Sequence, residues 1–222
     1  FKGIRVNAAT STQNGIRLTG TSSNVLIEDS HVHASQAAIN GIFVATNGAV
    51  SNTIRRCKVF EIGTNGAHVG IELQSSNNLV EDNELYSIAG QAIEALPFTA
   101  GFQAHSNIIR RNKMRNSTIV YGGITIGATS NTGASSGNQV YNNLIYATKY
   151  GLQLAAFGSG NKVWNNTIYS NELAGLIVES GQVGIEVLNN IVFQNGTGIQ
   201  SNGSGTVLNN ITTDPLFVDG PG

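Results

Sequence analysis

Two short patterns recur along the chain at the same interval, and that shared interval leaves few folds open. The first is Gly-apolar-x-apolar: Gly15-Ile16-Arg17-Leu18, Gly41-Ile42-Phe43-Val44, Gly70-Ile71-Glu72-Leu73, Gly123-Ile124-Thr125-Ile126, Gly151-Leu152-Gln153-Leu154, Gly175-Leu176-Ile177-Val178 and Gly198-Ile199-Gln200, with Ala92-Ile93-Glu94-Ala95 in the remaining slot. Successive copies are 26, 29, 22, 31, 28, 24 and 23 residues apart, a mean of about 26. The second pattern, apolar-x-x-Asn-x-apolar, runs from Ile27-Glu28-Asp29-Ser30 through Val80-Glu81-Asp82-Asn83 and Ile109-Arg110-Arg111-Asn112 to Val207-Leu208-Asn209-Asn210 with the same mean step. Within a copy, as in Ile71-Glu72-Leu73, apolar residues alternate with period two, which is a strand signal. Two or three short strands per turn, joined by Gly, Asn and Ser corners, describe a solenoid in which each coil pairs with its neighbours and rises by about 4.8 Å. The Asn-Gly pairs at 14–15, 40–41, 65–66, 195–196 and 202–203 are also hairpin signals. Independent hairpins give two separate patterns no reason to share one step.

Composition removes several other classes. Gly and Asn contribute 27 residues each, types that helix and strand interiors avoid, so a helical bundle is excluded. With 12 basic and 13 acidic residues the net charge is −1, which provides no field for a phosphate backbone, so no nucleic-acid partner is expected. No apolar run approaches the roughly 20 residues that span a bilayer, so no membrane partner is expected either. A single cysteine, Cys57, excludes an internal disulfide and a cysteine-based zinc cluster. The chain begins at Phe1 and shows no signal peptide, as expected if a leader, a tag or further domains have been removed.

Stacked coils turn the second pattern into a vertical file: Ser30, Cys57, Asn83, Asn112, Asn143, Asn166, Asn190 and Asn210. An interior Asn can donate its amide to the oxygen one rung away, so a file of them satisfies itself without water. Each Asn alone would be a buried liability of roughly 1–3 kcal/mol.

With these residues in place, the chain resembles the right-handed parallel β-helix proteins of the pectate-lyase-like superfamily, whose coils commonly read Asn-x-Ile-x-x-Asn-x-Ile followed by Gly-Ile-x-Leu. The resemblance extends from about Gly3 to Asn210 and implies the fold more than any activity. The expected architecture is all-β: one right-handed parallel β-helix domain over residues 1–222 with about eight coils, an internal Asn ladder, an N-terminal edge at 1–14 and a C-terminal tail at 211–222. The closing Thr213-Asp214-Pro215-Leu216-Phe217 is similar to the segment that ends many secreted members, which implies an extracellular or cell-surface protein.

Interior positions are filled by Ile, Val, Leu and Asn, so function is expected on the outward files. The tetrads place Arg17, Phe43, Glu72, Glu94, Thr125, Gln153, Ile177 and Gln200 in one file. In polysaccharide-active relatives this face often forms the substrate groove, with a Lys or Arg base and acidic groups that hold calcium. Glu72 and Glu94 fall on adjacent rungs, about 5 Å apart along the backbone. Like charges so placed raise one pKa or recruit a cation, so the pair is read as an acid/base pair or a calcium site, against two glutamates splayed into solvent. His68 and His105, on nearby corners, complete the densest titratable cluster. The longest coil adds the corner Leu96–His105 as a binding loop. Arg17, Phe43 and Gln153 are the expected sugar contacts on this face. Tyr141 and Trp164, on consecutive rungs of another file, suit either a sugar ring or a homo-oligomer contact.

Two files beside the Asn ladder alternate in sign, Glu28, Arg55, Glu81, Arg110 and Asp29, Arg56, Asp82, Arg111, and are expected to form charge ladders that select register. A further file, His33, Phe60, Tyr86, Arg115, Tyr146, Tyr169, Phe193 and Thr213, is expected to stack as architecture. The groove file has no Lys, and both the arginine signature of pectate lyases and the paired Asp of polygalacturonase-like enzymes are absent. The expected function is recognition of an acidic polysaccharide, with lyase or glycoside hydrolase activity. The alternative is a non-catalytic adhesive solenoid.

Overall fold

The computed structural model describes residues 1–7, 13–34, 39–45, 48–97, 102–117, 122–128 and 135–216. One coil shows the plan: strands Leu79–Glu81, Glu84–Ile88 and Ile93–Ala95 lie on three different faces, separated by short corners. Repetition builds three stacks of hydrogen-bonded strands: two of eight strands and one of nine, the last including Gly158–Ser159 and Lys162–Trp164, which both pair with Gln182–Leu188. The first stack contains Thr53–Arg55, Leu79–Glu81 and Ile108–Arg110; the second Lys58–Ile62, Glu84–Ile88 and Lys113–Arg115; the third Val69–Leu73, Ile93–Ala95 and Gly122–Ile126. Neighbouring rungs pair in parallel, as in Leu79 with Ile108 and Glu94 with Thr125. Parallel rungs exclude the hairpin reading of the Asn-Gly pairs.

The inward residues form apolar columns running the length of the coil stack. Ile27, Ile54, Val80, Ile109, Val140, Val163 and Val187 make one column; Ile42, Ile71, Ile93, Ile124, Leu152 and Leu176 make another, each no more than 1% exposed. The tetrad glycine is required by close approach between rungs. A Cβ on Gly123 would lie 2.4 Å from the Gly151 carbonyl oxygen, and one on Gly151 would lie 2.3 Å from that of Gly175.

The Asn file forms as a ladder. The backbone N–H groups of Asn83, Asn112, Asn143, Asn166 and Asn190 each donate to the Oδ1 of the next Asn, at 2.9–3.0 Å. Each Nδ2 is spent twice: that of Asn112 donates to Asn143 Oδ1 at 3.0 Å and to the Val80 carbonyl at 2.9 Å. The residue just before the ladder position is left-handed in every coil, from Asp29 through Arg111 to Asn209, with φ between 52° and 57°. This single αL residue turns the chain from the first stack into the second, a conformation that Asn and Asp tolerate best.

A second ladder, which the sequence reading did not assign, runs parallel to the first. Asn52, Asn78, Asn107 and Asn138 donate their backbone N–H to the Oδ1 of Asn78, Asn107, Asn138 and Asn161, at 2.9–3.0 Å. These are the first Asn of the Asn-x-apolar-x-x-Asn coil, five residues before the assigned ladder.

The charge files differ from expectation. Arg55 and Arg56 reach only to the preceding rung, to Glu28 at 2.9 and 2.6 Å and, from Arg56, to Asp29 at 2.7 Å. Arg110 and Arg111 likewise reach to Glu81 and Asp82. The result is two separate blocks of four file residues each, the first joined by Lys2 at 3.7–3.8 Å. Each guanidinium pairs with the carboxylates of the preceding rung; the donor that Arg110 turns to the next rung meets the Tyr141 hydroxyl, not a carboxylate.

In the aromatic file His33 stacks on Phe60, Phe60 on Tyr86, and Tyr146 on Tyr169, with centroids 5.0–5.1 Å apart. Arg115 fills the gap, its guanidinium 4.4 Å from the Tyr86 ring centre. Thr213, the expected last member, is exposed and outside the strands.

Candidate active site

The tetrad file is aligned residue for residue: Arg17 pairs with Phe43, Phe43 with Glu72, Glu72 with Glu94, Glu94 with Thr125, and Thr125 with Gln153. These side chains form the floor of a groove of about 960 Å³ along the third stack. Asn40, Gln74, Gln91 and Glu179 also line it.

The two glutamates do not splay into solvent. Glu72 is 5% exposed and Glu94 2%. Glu72 accepts hydrogen bonds from Asn40 Nδ2 and Gln74 Nε2. The orientation of the Asn40 amide is set from behind, because its Oδ1 accepts the Val69 N–H at 3.2 Å. Glu94 accepts from Gln91 Nε2 at 3.1 Å. Burial pushes the Glu72 carboxyl up, and its two amide donors oppose that shift. Burial and then the neighbouring Glu72 charge push Glu94 up to about 8. Environment thus separates the pair: Glu94 is pushed up to about 8, whereas two amide donors on Glu72 oppose the effect of its burial, the kind of difference by which acid and base roles are assigned.

The expected histidines are placed elsewhere. His68 Nδ1 accepts the Thr64 N–H at 3.0 Å, and its ring packs against Gly63. Burial lowers its pKa, so the imidazole is a neutral acceptor for its own corner. His105 is half-buried on another corner, where its N–H donates to Ser76 Oγ at 2.9 Å and its carbonyl accepts the Asn77 N–H. Neither histidine lines the groove. Of the expected four-residue cluster, the structure brings together only the carboxyl pair.

Arg17, Phe43 and Gln153 line the groove, with the Arg17 guanidinium 5.3 Å from the Phe43 ring centre. Gln153 Nε2 donates to Glu179. Tyr141 and Trp164 belong to the first stack, away from the groove, and their rings lie parallel at 4.8 Å. The other face of Tyr141 carries Arg110, which also donates to its hydroxyl at 2.9 Å, so both phenol faces are covered. Part of the long corner, residues 98–101, lies outside the described residues. Its Phe102 and Gln103 line a small depression beside Gln74.

Calcium takes six to eight oxygen ligands. Among the described residues no group of three or more His, Cys, Asp and Glu converges. Both Glu72 oxygens already accept from amides.

The residues missed in the sequence are Asn40, Gln74, Gln91 and Glu179. Three carried a readable signal: Gln74 follows Glu72 by two, the same face of an extended segment, and Asn40 and Gln91 occupy the position just before their tetrads.

A family model for the right-handed β-helix region matches residues 40–214. The chain belongs to the right-handed β-helix family. Among solved structures, the A-module of the mannuronan C-5 epimerase AlgE6 from Azotobacter vinelandii superposes with a TM-score of 0.51 at 16% identity, over 87% of this chain and 59% of that one. The chain therefore spans somewhat over half of that module, and at this identity the likeness is one of fold. QnrB1, a plasmid-mediated fluoroquinolone resistance protein, matches over 96% of this chain and 92% of its own at a TM-score of 0.30 and 8% identity. No curated protein sequence gives a significant match.

Proposed function

We propose that this β-helix protein binds an extended polysaccharide along the groove and hydrolyses a glycosidic bond with the Glu72–Glu94 pair. The observation that carries the reading is a pair of buried carboxyls on adjacent rungs of the groove floor, Glu94 holding its proton near neutral pH. In this reading Glu94 gives that proton to the glycosidic oxygen as the bond to the anomeric carbon breaks. The Glu72 carboxylate attacks that carbon and forms a glycosyl ester. Water then cleaves the ester as Glu94, now a carboxylate, takes up the water's proton. The rung spacing of about 4.8 Å is close to the roughly 5–5.5 Å separation of retaining pairs.

Hydrolysis is preferred to lyase chemistry because a lyase needs a basic side chain at the reacting carbon. Arg17, the cation of this file, is two rungs from Glu72. Phe43 offers a ring, and Gln153 an amide, for sugar contacts above and below the pair. A polysaccharide partner also accords with the epimerase that shares the coil architecture, and implies a secreted or surface location. Calcium binding by the same two carboxyls would require Glu94 to lose its proton, so it belongs to alkaline conditions.

The test is release of reducing ends from a panel of polysaccharides, with ultraviolet absorbance followed in parallel to detect the double bond a lyase would leave. The wild type should release reducing ends without new absorbance, and Glu94→Gln should lower the rate by about 100-fold or more. Activity that survives in both Glu94→Gln and Glu72→Gln would remove the pair from the chemistry. Binding without turnover in the wild type would favour the adhesive solenoid.

A further inference from the structure

Resting on that reading of the groove, we propose that its substrate is an uncharged glycan and not a polyuronate. The first argument is where the cations are. Of the 12 Lys and Arg residues, Arg17 lines the groove. Arg55, Arg56, Arg110 and Arg111 are committed to carboxylates on the first stack, and Lys162 to Glu186 there. Lys58, Lys113 and Arg115 belong to the second stack, as does Arg5 at its edge. Lys2 reaches Glu28 and Asp29, and Lys149 is not among the groove residues. Segments 8–12, 35–38, 46–47, 98–101, 118–121, 129–134 and 217–222 contain no Lys or Arg, so they cannot supply another cation. Against Arg17 stand the carboxylates of Glu72 and Glu179, with Glu94 adding a third as pH rises through about 8.

The second argument is the polarity of the hydrogen-bonding surface. The amide nitrogens of Asn40, Gln74, Gln91 and Gln153 each donate to a groove carboxyl. One hydrogen of each amide is thus turned inward, so the groove offers a ligand the remaining amide N–H, the Gln Oε1 atoms and the free lone pairs of the carboxyls, and its donors are neutral groups apart from Arg17. Sugar hydroxyls donate to such a surface. A uronate carboxylate accepts only, and one at every sugar would face acceptors and anions along most of the groove. Arg17 can answer one of them.

The experiment is calorimetric titration of the intact chain at pH 7 with oligosaccharides of matched length, neutral ones from xylan, glucan and mannan and acidic ones from alginate and polygalacturonate. A neutral oligosaccharide should bind, and the uronates should bind about tenfold or more weakly, with the gap widening as salt is lowered because repulsion is less screened. Gln153→Lys should narrow the gap. Uronate binding equal to or tighter than neutral binding, and strengthened by lowering salt, overturns the proposal while leaving a polysaccharide groove in place. Binding of neither class overturns both.

Discussion

Replacing Glu94 by Gln removes a single titration from the groove floor while nearly preserving shape, and the hydrogen bond from Gln91 Nε2 can be kept by the new amide oxygen. In the wild type the folded-state pKa is about 8 against 4.5 for an unperturbed glutamate, with burial as the larger cause and Glu72 the smaller. A raised carboxyl pKa means that the folded state binds the proton more tightly than the unfolded chain. The associated stability is fully present below pH 4.5 and is lost progressively as pH rises through about 8. At 1.36 kcal/mol per unit this amounts to about 4–5 kcal/mol between the two limits. Urea denaturation of wild type and variant at several pH values between these limits reads it directly. The difference between the two proteins should grow toward alkaline pH, with the variant gaining. His68 and the surface ion pairs titrate in both proteins and cancel in that difference. A difference that does not change with pH would mean that Glu94 is solvated, and the acid role assigned to it would fall with its burial.

The ladder and the ion pairs give further tests. Asn112→Ala orphans the Asn83 N–H and one Asn83 amide hydrogen and takes the donor from the Val80 carbonyl, a loss of about 3–5 kcal/mol. Asn210→Ala, at the half-exposed end of the ladder where water can substitute, should cost about 1 kcal/mol; equal costs would refute the ladder as a source of stability. In double-mutant cycles Arg56 should couple to Glu28 and not to Glu81, and equal coupling to both would restore the continuous charge ladder.

The fold was legible because a parallel solenoid writes its geometry into sequence spacing. Residues that superpose must share a chemistry, so Ile27, Ile54, Val80 and Ile109 repeat as core, and Asn83, Asn112 and Asn143 repeat as ladder. The second ladder carried an equally regular signal at Asn52, Asn78, Asn107 and Asn138, in the Asn-x-apolar segment preceding each assigned copy. The two-block ion pairs were not legible, since alternating sign fixes which residues are neighbours but not which of two neighbours a flexible guanidinium chooses. Arg56 has a 2.6 Å contact with Glu28 below it, a choice made by side-chain direction at an αL corner.

The site was legible in register and not in environment. Alternation placed Glu72 and Glu94 on one outward file and on adjacent rungs, as the structure has them. It could not reveal that an outward file can be buried, because the amides of Asn40, Gln74 and Gln91 that close on the two carboxyls lie outside the repeated tetrad. That difference decides the chemistry: on an open face both carboxylates would ionise and splay, whereas on a covered floor one of them retains a proton. The histidines failed for the complementary reason. Their nearness in sequence to Glu72 and to the long corner says nothing about direction: His68 is held by the Thr64 N–H of its own corner, and the His105 backbone is tied to the Ser76 hydroxyl one rung away. In a solenoid, then, vertical neighbours two dozen residues apart are better evidence for a shared site than horizontal neighbours four apart.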